Sequence, residues 1–177
     1  MLITVEDLKA IYTDLDFSKF SDERLKRKLD AIETLVRNHT HNNFTNRATR
    51  TECFIEDNEL VGDLSLFKVG NTIQIVGGVN EGIYTIEELY DGFAKLDKDI
   101  YNSDEVVIYR VDYPADVIEG SVVLLNYDCN KENKIGISSE SLSRHSVSYV
   151  NYNESNTKEG YPSELLGFLR KYAKWRT

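Results

Sequence analysis

Apolar side chains along the first forty positions recur at helical spacing. Val5, Leu8, Ile11 and Tyr12 fall on one face, and Thr4 with Asp7 three residues later makes an approximate capping box for that helix. A turn over 14–20 offers Leu15, Phe17 and Phe20 as docking side chains. Ser21 is then a good N-cap, with Asp22 and Glu23 in the first turn where the helix dipole favours anions. Leu25, Leu29, Ile32, Leu35 and Val36 form the stripe of this second helix, which should fade near Asn42-Asn43.

From Arg47 to Tyr113 the period changes from helical to alternating. Short runs rich in Val, Ile, Tyr and Thr at 49–55, 64–69, 72–76, 83–86, 93–96 and 106–111 read as strands. Turn signals separate them: Asp57-Asn58, Gly70-Asn71, Gly77-Gly78, Asn80-Glu81-Gly82, Asp91-Gly92 and Asn102-Ser103-Asp104. Such close spacing predicts a small antiparallel barrel or two packed sheets, and 67–75 followed by 82–86 looks like the curled meander of an SH3-like barrel. Helical texture returns at Pro114, a residue suited to a first helical turn. Val117, Ile118, Ser121, Val122, Leu124 and Leu125 give a broad apolar face up to Asp128–Asn130. A Ser-rich arm over 134–152 follows, then a polar patch over 151–159. Leu165, Phe168, Leu169 and Tyr172 predict a last amphipathic helix over 163–176.

The expected fold is α+β: a small helical bundle of about four helices carrying an inserted, small antiparallel β-barrel-like module. Residues 1–45 and 114–177 make the helical domain, and 46–113 the insertion. With 41% hydrophobic and 29% charged residues, the 177-residue chain can bury a globular core. Its net charge of −9 argues against tight DNA binding, which asks for clustered Lys and Arg. Cys53 and Cys129 lack CxxC spacing and read as small buried hydrophobes in a reducing compartment. The first residues lack the pattern of a signal peptide, and no apolar run reaches the length of a membrane span, so a soluble, membrane-free protein is expected.

Catalytic patterns fail on spacing. His39 and His41 lie two apart, with no third metal ligand in pattern, and suit a polar helix end. Gly70-Asn71 and Gly77-Gly78 fall between strands, whereas phosphate loops open helices. Acidic turns such as Glu56-Asp57-Asn58-Glu59 lack the calcium-loop pattern, and Arg144-His145 among serines lacks a nucleophile elbow or a triad acid. No catalytic residue, metal ligand or cofactor site is expected.

One order of segments is more specific. Pro114-Ala115-Asp116-Val117 opens a helix. The arm follows, from Ile137-Ser138-Ser139-Glu140-Ser141 to Ser146-Val147-Ser148-Tyr149, and then Gly160-Tyr161-Pro162 before the terminal segment. This order resembles the head–tail connector (head-completion adaptor) proteins of long-tailed bacteriophages of Gram-positive hosts. The resemblance covers both helical pieces. It does not cover 46–113, where many relatives have only a brief link. It implies a structural virion protein at the head–tail interface, assembled in the host bacterial cytoplasm. There a ring of twelve subunits would sit under the portal, extend the DNA channel and dock the next head-completion or tail adaptor. The implied partners are the portal protein, that next adaptor, other copies of the chain, and genomic DNA only in passage. Subunit contacts would then fall on the arm, at Ser138, Glu140, Leu142, Arg144, Val147 and Tyr149. Portal or partner contacts would fall on Leu165, Phe168, Leu169, Tyr172 and Trp175. A second reading needs no phage: a cytosolic adaptor that binds another protein through the β module.

Overall fold

A computed structural model describes residues 2–132, 140–142, 145–147 and 157–174. The chain divides into two compact units, residues 41–114 and residues 2–40 with those from 115 onward.

The first unit is a closed antiparallel barrel of six strands. These are β1 (Thr45–Glu56), β2 (Glu59–Gly62), β3 (Thr72–Val76), β4 (Gly82–Tyr90), β5 (Phe93–Leu96) and β6 (Ser103–Val111), in the spatial order β1-β2-β5-β4-β3-β6. Alternation builds it: Ile73 and Ile75, Tyr84 and Ile86, and Val106 and Ile108 point inward, two residues apart. They meet Ile55, Leu60 and Leu96 in one core. Asp57 and Asn58 both take positive φ (51° and 67°), as a two-residue hairpin turn with the right twist requires. Two side-chain amides, Asn80 buried and Asn58 exposed, fix the connections. Asn80 donates to the Tyr101 carbonyl (2.7 Å) and accepts from the Tyr101 N–H (2.8 Å), while Asn58 accepts from the Ile100 N–H (2.7 Å). β6 pairs with β3 on one side and with β1 on the other, from Thr45↔Val111 to Ile55↔Ser103, and this closes the sheet.

The second unit holds α1 (Val5–Ile11), α2 (Asp22–Thr40), α3 (Ala115–Glu132) and a 3-10 segment, Gly167–Tyr172. Thr4 caps α1 by accepting from the Asp7 N–H (3.0 Å). Leu25, Leu29, Ile32 and Val36 of α2 are buried, as are Val117, Val122, Leu124 and Leu125 of α3. Glu33, also buried, is held by Arg37 one turn on at 2.6 Å, so its charge is compensated inside the helix.

This architecture corrects the expectation of a helical bundle with a small insert. Strand and helix contribute about 32% and 33% of the chain, and the strands form a complete closed barrel. β1, β4 and β6 outrun the apolar runs that signal them, because closure gives each a partner on both sides. β1 runs for 12 residues, well beyond 49–55. The run at 64–69 is not a strand: Leu64 and Phe67 are buried three residues apart, with the Phe67 N–H on the Leu64 carbonyl (2.9 Å). The helix expected over 163–176 is instead the short 3-10 segment preceded by turns. Gly167, a poor helix former, lies inside that stretch. At three residues per turn the buried side is Leu166 and Leu169 rather than an i, i+4 stripe.

The barrel core sets a stability test. Ile86→Ala removes a fully buried side chain from the centre of β4, and urea unfolding should show a loss of about 2–5 kcal/mol.

Candidate assembly site

α3 anchors the segment that follows the arm. After the arm the chain returns in a two-residue hairpin, β9 (Thr157–Lys158) and β10 (Tyr161–Pro162), turned by Glu159 and Gly160 at φ 53° and 87°. Gly160 accepts that conformation without strain because it has no Cβ. The turn seats Tyr161, only 7% exposed, against α3. Its hydroxyl donates to Asp128 Oδ2 at 2.6 Å, and its ring lies 5.8 Å from that of Tyr127. Burial, then the bond to the Asp128 carboxylate, push the Tyr161 hydroxyl far above its usual pKa. His39 of α2 meets Glu159 in the same turn at 3.1 Å, and the Lys174 N–H caps the α2 C-terminus at the Thr40 carbonyl (2.8 Å). The chain therefore leaves α3 at Glu132 and by Tyr161 is back beside Asp128, one turn earlier on the same helix.

Within the arm, β7 (Glu140–Leu142) and β8 (His145–Val147) pair antiparallel, with Glu140↔Val147 and Leu142↔His145 in register. Three residues expected at subunit contacts, Glu140, Leu142 and Val147, thus lie on one hairpin. Each strand already uses one edge inside the arm. Ser138, Arg144 and Tyr149 lie outside the described residues.

The residues expected to meet the portal separate. Leu169 is fully buried in the helical unit, alongside Leu166, which the i, i+3, i+4 reading passed over. Phe168 packs on α3 at Gly120, where an added Cβ would come to 2.5 Å from the ring. A glycine in mid-helix was the sequence signal for that approach. Tyr172 donates to Asp116 Oδ1 (2.6 Å), and Lys171 bonds the other oxygen of that carboxylate (2.8 Å). The lysine first, then the tyrosine, hold the Asp116 carboxyl below its usual range. Leu165 is half-buried, and Trp175 lies outside the described residues.

Among the described residues, no group of three or more His, Cys, Asp or Glu side chains is placed to hold a metal ion. Both cysteines are buried, and desolvation pushes the Cys53 thiol up to about 11, where it is a poor nucleophile. Among the described residues, no helix is long and apolar enough to cross a membrane. No protein-family model matches the chain, and no curated protein matches it.

Two tests follow from this geometry. Gly120→Ala adds helix propensity but drives a methyl into Phe168, so thermal melting should show a net loss of about 1–3 kcal/mol. Phe168→Ala in the same chain should recover part of the loss, the non-additivity expected of touching residues. The second test is alkaline. Burial, then the bond to Glu119, raise the Tyr12 hydroxyl from 10.0 to about 12, and Tyr161 shifts the same way. The folded state then holds protons that the unfolded state has released. Stability is full below pH 10 and falls as pH rises from there towards 12. Tyr12→Phe and Tyr161→Phe should each flatten that slope in urea titrations, and Tyr161→Phe should also lower stability at neutral pH by about 1.5–3 kcal/mol.

Proposed function

We propose that this chain is a structural head–tail connector of a long-tailed bacteriophage, a non-enzymatic ring subunit under the portal. It would extend the DNA channel and offer a docking surface to the next adaptor or to the tail. The observation that carries the reading is the unit built on α3. A helix introduced by Pro114-Ala115-Asp116-Val117 gives out a long Ser-rich arm, and Gly160-Tyr161-Pro162 returns the chain to the same helix. An arm pinned at both feet can reach a neighbour while its base stays fixed, as a ring subunit requires. A closed ring also needs a heterologous contact whose rotation closes, and a strand with an unused edge can supply one through main-chain hydrogen bonds.

Charge supports the reading. A chain at −9 with few clustered cations would let DNA pass without gripping it. Assembly is expected to need a template that raises the local concentration of neighbours.

Light scattering should therefore find the purified protein monomeric or weakly associated. Mixing it with the portal from the same genome should give rings visible by electron microscopy. A stable dimer at every concentration, with no portal binding, would overturn the connector reading in favour of a cytosolic adaptor. Short duplex DNA should bind weakly at ~0.15 M salt, and submicromolar affinity with a steep salt slope would contradict the role assigned to charge.

A further inference from the structure

The strand register places four apolar residues in one row on the outside of the barrel. Phe54 stands opposite Val61, Val61 opposite Phe93, and Phe93 opposite Tyr90, crossing β1, β2, β5 and β4. Directly paired residues share a face of the sheet. The neighbouring set Ile55, Leu60, Ala94 and Leu89 pairs likewise and faces the core, so the first row faces out. The Tyr90 and Phe93 rings stack at 4.7 Å, while Phe54 and Tyr90 remain 41% and 49% exposed.

The rim of this row is acidic. Glu52 and Glu56 flank Phe54 along β1, Glu59 lies two residues from Val61, and Asp91 follows Tyr90. Of the cations on these strands, Lys95 lies two residues from Phe93 and 3.5 Å from Glu88, and Arg50 lies four residues from Phe54 along β1. The whole barrel unit is lopsided in the same sense. Residues 41–114 hold 14 acidic against 6 basic side chains, a net −8, while the rest of the chain holds 16 against 15, a net −1. An aromatic row with such a rim suits an occupant with apolar anchors and cationic flanks, whose Lys or Arg stems can lie across the rings.

The chain carries such a segment. From Leu165 to its end there is no acidic residue, while Arg170, Lys171, Lys174 and Arg176 cluster there. Arg170 and Lys174 are exposed at the end of the 3-10 segment, and Lys171 is engaged by Asp116. We propose that the outer aromatic face of the barrel receives the basic end of the helical unit of a second copy, making a head-to-tail contact. Charge selects this pairing. Each barrel unit carries −8, so two copies of this face repel, which disfavours a two-fold dimer through this surface, whereas face and basic end attract. The contact is heterologous, and it rests on the connector reading only in supplying the contact that such a ring would repeat.

Full-length protein in analytical ultracentrifugation tests it. The wild type should self-associate weakly at ~0.05 M salt and dissociate at ~0.5 M, as an electrostatically assisted contact requires. F54D/Y90D spoils the receiving face and R170E/K174E spoils the donating end. Each alone should weaken association at least ~10-fold. Their equimolar mixture should give a one-to-one heterodimer that grows no further, because each variant keeps the half that the other lacks. Circular dichroism checks folding, and the milder pair F54S/Y90S with R170Q/K174Q repeats the cross if either charged variant is unfolded. A mixture that stays monomeric, a variant that associates like the wild type, or a wild type monomeric at all concentrations would each overturn the proposal. So would a salt-dependent change that does not vary with concentration, since it would place the contact within one chain. Portal binding is read separately: association without portal binding leaves this contact standing and removes the connector reading, and the converse separates them the other way.

Discussion

The pairing of β6 with β1 is the constraint on which the architecture depends. Thr45 faces Val111 across that ladder, the Asp112 N–H reaches the Phe44 carbonyl at 2.9 Å, and the Phe44 and Tyr113 rings sit 5.0 Å apart. The same ladder closes the barrel and brings together the two points at which the chain enters and leaves it. A module with distant ends would force α2 and α3 apart. With adjacent ends, it can be carried between two helices that belong to one unit. Phe44 adopts φ 55° at this junction, a left-handed conformation that a bulky side chain rarely takes. The strain marks how sharply the chain must turn there.

A second organising feature is the clasp at α3. Tyr161 does three things at once: its ring is buried, its hydroxyl satisfies Asp128, and its backbone belongs to the hairpin that ends the arm. Neither a helix end nor a tight turn alone would fix where a long polar segment returns. The close approach of Phe168 to Gly120 and the bond from Tyr172 to Asp116 continue that attachment along the same helix. Charge is distributed on a different principle. The barrel carries nearly all of the net negative charge and the helical unit almost none, so the two units face any partner with different long-range fields.

Much of this was legible in the sequence, and the failures have physical causes. Thr4 and Ser21 marked helix starts because capping is local chemistry, and the Asn and Gly pairs marked turns for the same reason. Strand length was not legible. Thr45 to Arg50 is polar and joins β1 only because β6 pairs with it, so the full length of β1 had to be seen rather than read. Leu64 to Val69 has a strand's composition but serves as a plug, since spacing of three buries Leu64 and Phe67 from a turn. The terminal segment misled because its apolar residues fit both 3.6 and 3.0 residues per turn; Leu166 and Gly167 decided for the tighter one. The clasp was half visible in Gly160-Tyr161-Pro162, but its partner Asp128 lies thirty-three positions away. The outer aromatic row is a property of register, which no single strand of sequence contains.

The adjacency of Thr45 and Val111 also bears on how the chain finds its structure. Before the barrel forms, α2 and α3 are separated by residues 41–114, and their meeting must close a long loop. Once the barrel has closed, the same two helices are joined by only a few free residues on either side of the ladder. Loop-closure entropy grows with the logarithm of length, so this shortening favours helix docking by roughly 2 kcal/mol. The barrel acts, in kinetic terms, as a splint: folding it first turns a distant encounter into a local one.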